Sequence, residues 1–179
     1  MKTDLSKYNI DWYNPGSYLT CCLWFFVNSI LMQSKFNPFS SVRVFLLRVF
    51  GARVGKKVVI KPGVNIKYPW KLDIGNYVWI GEDVWIDNLD DVVIGDNVCI
   101  SQAVMLLSGS HNYKSSTFDL MIGKIFIEEG VWLGARSIVT KNVICKHHSV
   151  LTANSVASSN MESYAVYRGN PAVKVRDRI

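Results

Sequence analysis

The chain has three histidines, and one of them, His111, stands in "LSGSHNYKS" (Leu107 to Ser115), where an otherwise regular apolar pattern stops. An imidazole titrates near ~6.5, so a histidine beside a hydroxyl can take its proton at working pH. A lone loop histidine also suits a structural or merely solvated role. A second polar cluster, "WIDNLDD" (Trp85 to Asp91), comes earlier, and its Asp and Asn side chains suit turn capping as well as ligand contact. No Ser-His-Asp or Cys-His pattern lies near His111 to demand a covalent enzyme intermediate. The four cysteines, Cys21, Cys22, Cys99 and Cys145, form no CxxC pair. His147 and His148 are adjacent and would point to opposite faces of a strand. A reducing, cytoplasmic setting and no metal site are the expectations.

The elements that must position these groups repeat every six residues. Val54, Ile60, Ile66 and Leu72 keep one phase; a shift of two gives Ile74, Ile80 and Ile86, and another gives Ile94, Ile100 and Leu106. The series resumes as Ile127, Leu133, Val139, Cys145 and Leu151. Small or β-branched residues recur four positions after these, as at Val84, Val104 and Ser137, and a glycine often follows directly, as at Gly75, Gly81, Gly95 and Gly134. A period of six is neither the 3.6 of a helix nor the 2 of a long strand. It predicts a short strand and a tight turn, with the aliphatic side chain inside and the small residue letting the backbone turn. Three such units close one coil of a stacked solenoid. A β-sandwich would turn every ~8 to 12 residues with signals such as Asn-Gly, and no Asn-Gly or Asp-Gly dipeptide occurs. Residues 107–126 then read as an inserted, projecting loop, and such loops are often functional.

A chain of 179 residues is long enough for one domain with a real core. The division expected is an N-terminal segment with a helical cap (1–53), the solenoid (54–161) and a closing tail (162–179). The net charge of +6 is concentrated in the first third, with no basic run interleaved with aromatics, so nucleic acid is set aside. "MKTDLSKYNIDWYNPGSY" is too polar for a signal peptide, and the apolar stretch Leu19 to Met32 falls short of the ~20 residues of a spanning helix. "WFFVNSILMQS" and "SSVRVFLLRVFGARVG" predict two helices around Asn37-Pro38. In the second, Val42, Phe45, Leu46 and Val49 form an apolar face expected to cover the first coil. The other reading is peripheral membrane contact, with Trp24, Phe25, Phe26 and the arginines at a headgroup boundary.

"IGNYVWIGEDVWI" and "IGDNVCISQAVML" resemble hexapeptide-repeat acyltransferases, and "YAVYRGNPAVKVR" resembles the segment that ends their helix. The resemblance implies a mostly β fold, a left-handed parallel β-helix, assembled as a homotrimer. "SGSHNY" resembles the signature of the colanic-acid-biosynthesis type of acetyltransferase, which implies His111 as general base and acetyl-CoA as co-substrate. It also implies a saccharide acceptor, free, nucleotide-linked or lipid-linked, with Asn88 facing the histidine of a neighbouring subunit and helping to hold it, and Asp87 beside it. "EGVWLGARSIV" resembles the start of the donor groove: Trp132 would wall the pantetheine, Gly134 and Ala135 would allow backbone approach, and Ala153 would lie one coil on. Where the family pattern reads Val-Thr-Lys-Asp, this chain has Ala157-Ser158-Ser159-Asn160. The phosphate contact would then fall to Lys141, or to Arg168, Lys174 and Arg176 in the tail, with Ser158 at the changed corner. A non-catalytic scaffold of the same fold, or an acetyltransferase for a small non-sugar acceptor, stays open at this point.

Overall fold

The computed structural model describes residues 2–179. From Arg53 to Ala157, strands of two or three residues alternate with tight corners and stack into three parallel sheets. The first sheet contains Arg53–Val54, Leu72–Ile74, Val92–Ile94, Ile125–Ile127 and Ile144–Cys145. The second contains Val59–Ile60, Trp79–Ile80, Cys99–Ile100, Trp132–Leu133 and Val150–Leu151, and the third Asn65–Ile66, Trp85–Asp87, Met105–Leu107, Ile138–Thr140 and Val156–Ala157. The architecture is the one expected, a left-handed parallel β-helix. Ile60, Ile80, Ile100, Leu133 and Leu151 lie in register above one another and are fully buried. Cys145 takes an aliphatic position in this core, and burial pushes its thiol up to about 12, so it packs rather than reacts.

Coil length follows the phase shifts seen in the sequence. Val92 pairs with Leu72, 20 residues earlier, and with Ile125, 33 residues later, whereas Phe126 pairs with Ile144, 18 residues later. The extra pair of residues lengthens the first-sheet strand, so both Leu72 and Ile74, and both Val92 and Ile94, are buried.

The corners turn differently from the expectation. The positive-φ residue is not the glycine after the aliphatic position but the residue two places beyond that glycine: Tyr77, Asp83, Asn97 and Arg136 have φ of 58, 57, 58 and 59°. Each of these residues donates its N–H to the preceding coil, Tyr77 to Lys56 O, Asp83 to Pro62 O, Asn97 to Asn76 O and Arg136 to Gln102 O. The glycines serve close approach between coils. A Cβ on Gly81 would stand 2.8 Å from Gln102 N, and one on Gly134 2.5 Å from Ala153 N.

Two helices cover the first coil. Helix α1 (Tyr18–Val27), continued by a wider turn Asn28–Met32, lies along the third sheet, where Trp24 Nε1 donates to Ile66 O at 2.7 Å. Helix α2 (Ser40–Val49) faces the solenoid with Arg43 and Leu47, both fully buried, while Phe45 and Val49 are exposed. The expected apolar face is therefore turned outward. Its place is taken by Arg43, whose guanidinium donates to the carbonyls of Met32, Ser34 and Asn37 and ties the α1–α2 connection together. At the other end, Ala165–Gly169 extends the second sheet beside Val150–Leu151 and pairs antiparallel with Ala172–Asp177.

The two corner positions predict opposite sensitivities. Gly81→Ala should lower stability by about 1–3 kcal/mol through overpacking, whereas Ala103→Gly, at φ 56°, should leave it unchanged or raise it. Thermal unfolding of the two variants followed by circular dichroism measures both.

Candidate active site

The chain leaves the solenoid wall at Ser108, which is fully buried. Its Oγ donates to Asp87 O at 3.0 Å and accepts from Asp90 N at 2.9 Å. The missing Cβ of Gly109 leaves room for Leu89, which would stand 2.3 Å away. The projecting loop is an antiparallel hairpin, Gly109–His111 against Leu120–Ile122, closed at its base by Gly123 N donating to Ser108 O at 2.9 Å. At its tip the Thr117 and Ser115 side chains hydrogen-bond Asp119 and hold its carboxyl below the usual range.

His111 sits in this hairpin with its ring stacked on Phe118, centroids 4.5 Å apart and planes 8° apart. Its Nδ1 is 3.0 Å from the Phe118 carbonyl oxygen. A carbonyl only accepts, so Nδ1 carries the proton and Nε2 of the neutral ring keeps its lone pair. Tyr8 lies 5.7 Å from the ring and Asp4 N donates to Ser116 O at 2.8 Å, so the N-terminal segment packs on the hairpin. His111, Phe118, Leu5 and Tyr8 line one cavity of ≈ 280 Å³. The roles of Phe118, Tyr8 and Leu5 were not legible in the sequence; for Phe118 the only signal was an aromatic residue in the same insertion.

The corner that carries Asn88 supports the hairpin from below, through Asp87 O and Asp90 N. Asn88 is fully buried, accepts from Tyr68 N at 3.0 Å and donates to the carbonyls of Tyr68 and Lys71 at 2.6 and 3.2 Å. Both ends of the amide are used within the chain. Asp87 lies elsewhere, in a cleft of ≈ 340 Å³ beneath α1 that also contains Lys67 and Trp85. Its Oδ1 is 2.9 Å from Lys67 Nζ, an ion pair without hydrogen-bond alignment. Within one chain neither residue lines the His111 cavity. Lys71 completes this corner, donating to Leu89 O at 2.7 Å, and burial lowers its pKa against the opposing pull of Asp90 and Asp91.

The residues expected on the donor side divide between two corners. Trp132 is 48% exposed on the second sheet, its Nε1 donating to Ser101 Oγ at 3.0 Å. Between the second and third sheets, Gly134 N donates to Leu151 O and Asn154 N to Ala135 O, so Ala135 and Ala153 stack on consecutive coils. Arg168 continues that corner, since Thr152 N donates to Tyr167 O and Gly169 N to Ser155 Oγ. Lys141 and Ser158 share a different corner, following the third-sheet strands Ile138–Thr140 and Val156–Ala157. Lys174 is paired with Glu162 and Asp177 at 3.0 and 2.9 Å, and exposed Arg176 lies on the outer strand of the terminal hairpin.

No protein-family model matches the chain. It is 37% identical over 177 residues to a candidate colanic acid biosynthesis acetyltransferase, WcaF, of Escherichia coli, an alignment covering 98% of this chain and 97% of that protein. The chain belongs to the hexapeptide-repeat acetyltransferases of the colanic acid biosynthesis type. It is thus an acyltransferase, and the scaffold alternative falls away. The acetyltransferase VCA0836 of Vibrio cholerae, solved with acetyl coenzyme A, shares the fold at a TM-score of 0.84 and 21% identity, over 98% of this chain and 96% of that one. A galactoside acetyltransferase solved with coenzyme A superposes at 0.80 with 22% identity, over 90% and 82%.

Asn88→Ala should behave as a stability variant of this acetyltransferase. Leaving Tyr68 N–H without its acceptor should cost about 1–3 kcal/mol, read as a lowered midpoint in denaturant, with KM for either substrate unchanged in the folded fraction.

Proposed function

We propose that the chain transfers the acetyl group of acetyl-CoA to a saccharide hydroxyl during assembly of an exopolysaccharide or surface polysaccharide, with His111 as general base. The observation that carries this reading is the 3.0 Å contact of His111 Nδ1 with the Phe118 carbonyl, which fixes the tautomer and leaves Nε2 as an acceptor. In the reaction Nε2 takes the hydroxyl proton as the oxygen attacks the thioester carbonyl carbon. The tetrahedral intermediate then collapses, the C–S bond breaks, and the imidazolium returns the proton to the departing thiolate sulfur. Direct transfer of this kind needs no acyl-enzyme.

In this reading acetyl-CoA lies along the corner of Ala135 and Ala153, beside Trp132, with Arg168 at its phosphates. Arg168 fits better than Lys141 because it continues the same corner, while Lys174 is neutralised by its two acids. A homotrimer accounts for the open His111 cavity, whose four lining residues offer few polar groups to an acceptor. It also accounts for half-exposed Trp79, Trp85 and Trp132 on the outer faces of the solenoid, at 45, 40 and 48%. The similarity to WcaF supports an acceptor saccharide of polysaccharide assembly. A saccharide on a lipid carrier, met at the cytoplasmic face of a membrane, is the form that suits the exposed N-terminal helices.

Two kinetic outcomes test the assignment. His111→Ala should lower kcat about 100- to 10,000-fold while donor binding and the circular dichroism spectrum stay as in the wild type; turnover at the wild-type rate would remove His111 as the base. Arg168→Ala should raise KM for acetyl-CoA about tenfold with kcat little changed, and Lys141→Ala should leave both constants as they are.

A further inference from the structure

The helical cap carries more apolar surface than the solenoid uses. Leu19, Leu23, Phe26 and Ile30 are spaced four, three and four residues apart along one helical run, and they are 67, 53, 60 and 63% exposed. On α2, Val42, Phe45 and Val49 make a second exposed stripe on the face opposite Leu47. The two helices are held as one body. Trp24 packs on Phe50 with centroids 5.0 Å apart, and Arg43 ties their connection through three carbonyls.

The chain segment that carries these stripes has charge of one sign. From Trp12 to Leu72 the sequence contains no Asp or Glu and nine Lys and Arg. Lys35, Arg53 and Lys67 are answered by Asp83, Asp73 and Asp87 of later coils. Arg48, in the last turn of α2, bonds only to the carbonyls of Val54 and Gly55, which brings it next to exposed Lys56 and Lys57. Arg48 adjoins Phe45 and Val49 along α2, Lys57 Nζ lies 5.7 Å from the Tyr77 ring, and the three cations have no ion-pair partner among the described residues.

We infer that this face docks on a phospholipid surface carrying anionic headgroups, with the helical run from Tyr18 to Met32 lying in the interface. The run is too short to span a bilayer, and among the described residues no helix is long and apolar enough to cross a membrane. Exposed aromatic and aliphatic stripes bordered by Arg and Lys suit the headgroup boundary, where apolar burial and attraction to anionic lipid add. A second copy of the same face fits worse, because it would add the unpaired cations Arg48, Lys56 and Lys57 to their like, the nearby acids Asp73, Asp83 and Asp87 being already paired. The segment between cap and hairpin is anchored throughout: Trp70 Nε1 donates to Pro15 O, Tyr13 OH to Leu89 O and Asp4 N to Ser116 O. Docking would therefore hold the His111 cavity at a set distance from the lipid. The inference deepens the proposed lipid-carried acceptor by naming the surface where it is met.

Co-sedimentation with phosphatidylcholine vesicles, with and without phosphatidylglycerol, tests the docking. The wild type should bind the anionic vesicles and be released by salt. The double variant Phe26→Asp, Ile30→Asp should bind at least about tenfold more weakly, and Lys56→Glu, Lys57→Glu about tenfold more weakly on anionic vesicles alone. Unchanged thermal unfolding and unchanged acetyl transfer to a soluble saccharide would show that both variants remain intact. A wild type left in the supernatant with both vesicles, or variants that bind as well as it does, would overturn the inference. So would light scattering in which the Phe26, Ile30 variant loses an oligomer formed without lipid, since the face would then be a protein contact. Vesicle binding by a protein that acetylates no saccharide would sustain the docking and remove the acceptor reading instead.

Discussion

Everything in this molecule depends on how closely one coil can lie on the next. The corner glycines show the limit: a methyl group on Gly75 or Gly81 would fall 2.3 to 2.8 Å from atoms of the following coil, well inside van der Waals contact. The backbone pays for that closeness three residues after many of the inward aliphatic side chains, as at Tyr77, Asp83, Asn97 and Arg136, where a non-glycine residue holds φ of 57 to 59° at a cost of about 1–2 kcal/mol. The cost is offset because the same residue's N–H reaches a carbonyl of the preceding coil. Stacking, corner and core are therefore one constraint, and a change at a corner is felt along the whole column.

That rigidity is what makes the projecting hairpin possible. The chain can leave the wall at Ser108 because the coil below already satisfies its hydroxyl, through Asp87 O and Asp90 N, and it returns at Gly123 against Ser108 itself. Between these points the hairpin orients its own histidine. The partner of His111 Nδ1 is the carbonyl of Phe118 rather than a carboxylate, so the tautomer is fixed without a second charge that would bind the imidazolium more tightly. The corner proposed for the donor gains from the same stacking. Ala135, Ala153 and Arg168 line up because consecutive coils are in register, not because they are near in sequence.

The solenoid was legible because its side-chain code has one rule, an inward aliphatic residue every six positions, and even the two-residue phase shifts mapped onto lengthened strands. The hairpin and its histidine were legible for the converse reason, since the rule stops there. What the sequence hid was partnership. Asn88 in "NLDD" has the composition of a ligand contact, and only the position of Tyr68 and Lys71 beneath it reveals a buried strut. Cations at Lys141, Arg168 and Lys174 look interchangeable until the corners and the two acids near Lys174 are known.

The orientation of α2 is the most informative departure. Amphipathic patterning would turn Phe45 and Val49 onto the first coil, yet Arg43 and Leu47 lie there. The end of a β-helix exposes backbone groups as well as aliphatic side chains, and the connection from α1 adds carbonyls of its own. A guanidinium can satisfy three of these at once, whereas a phenyl ring satisfies none. Once Arg43 is committed to that position, the 3.6-residue repeat forces the apolar residues of α2 outward. Their exposure is thus built into the way the cap is fastened. A stripe of this kind marks an interaction surface, and the absence of any acid from Trp12 to Leu72 favours an occupant of opposite charge.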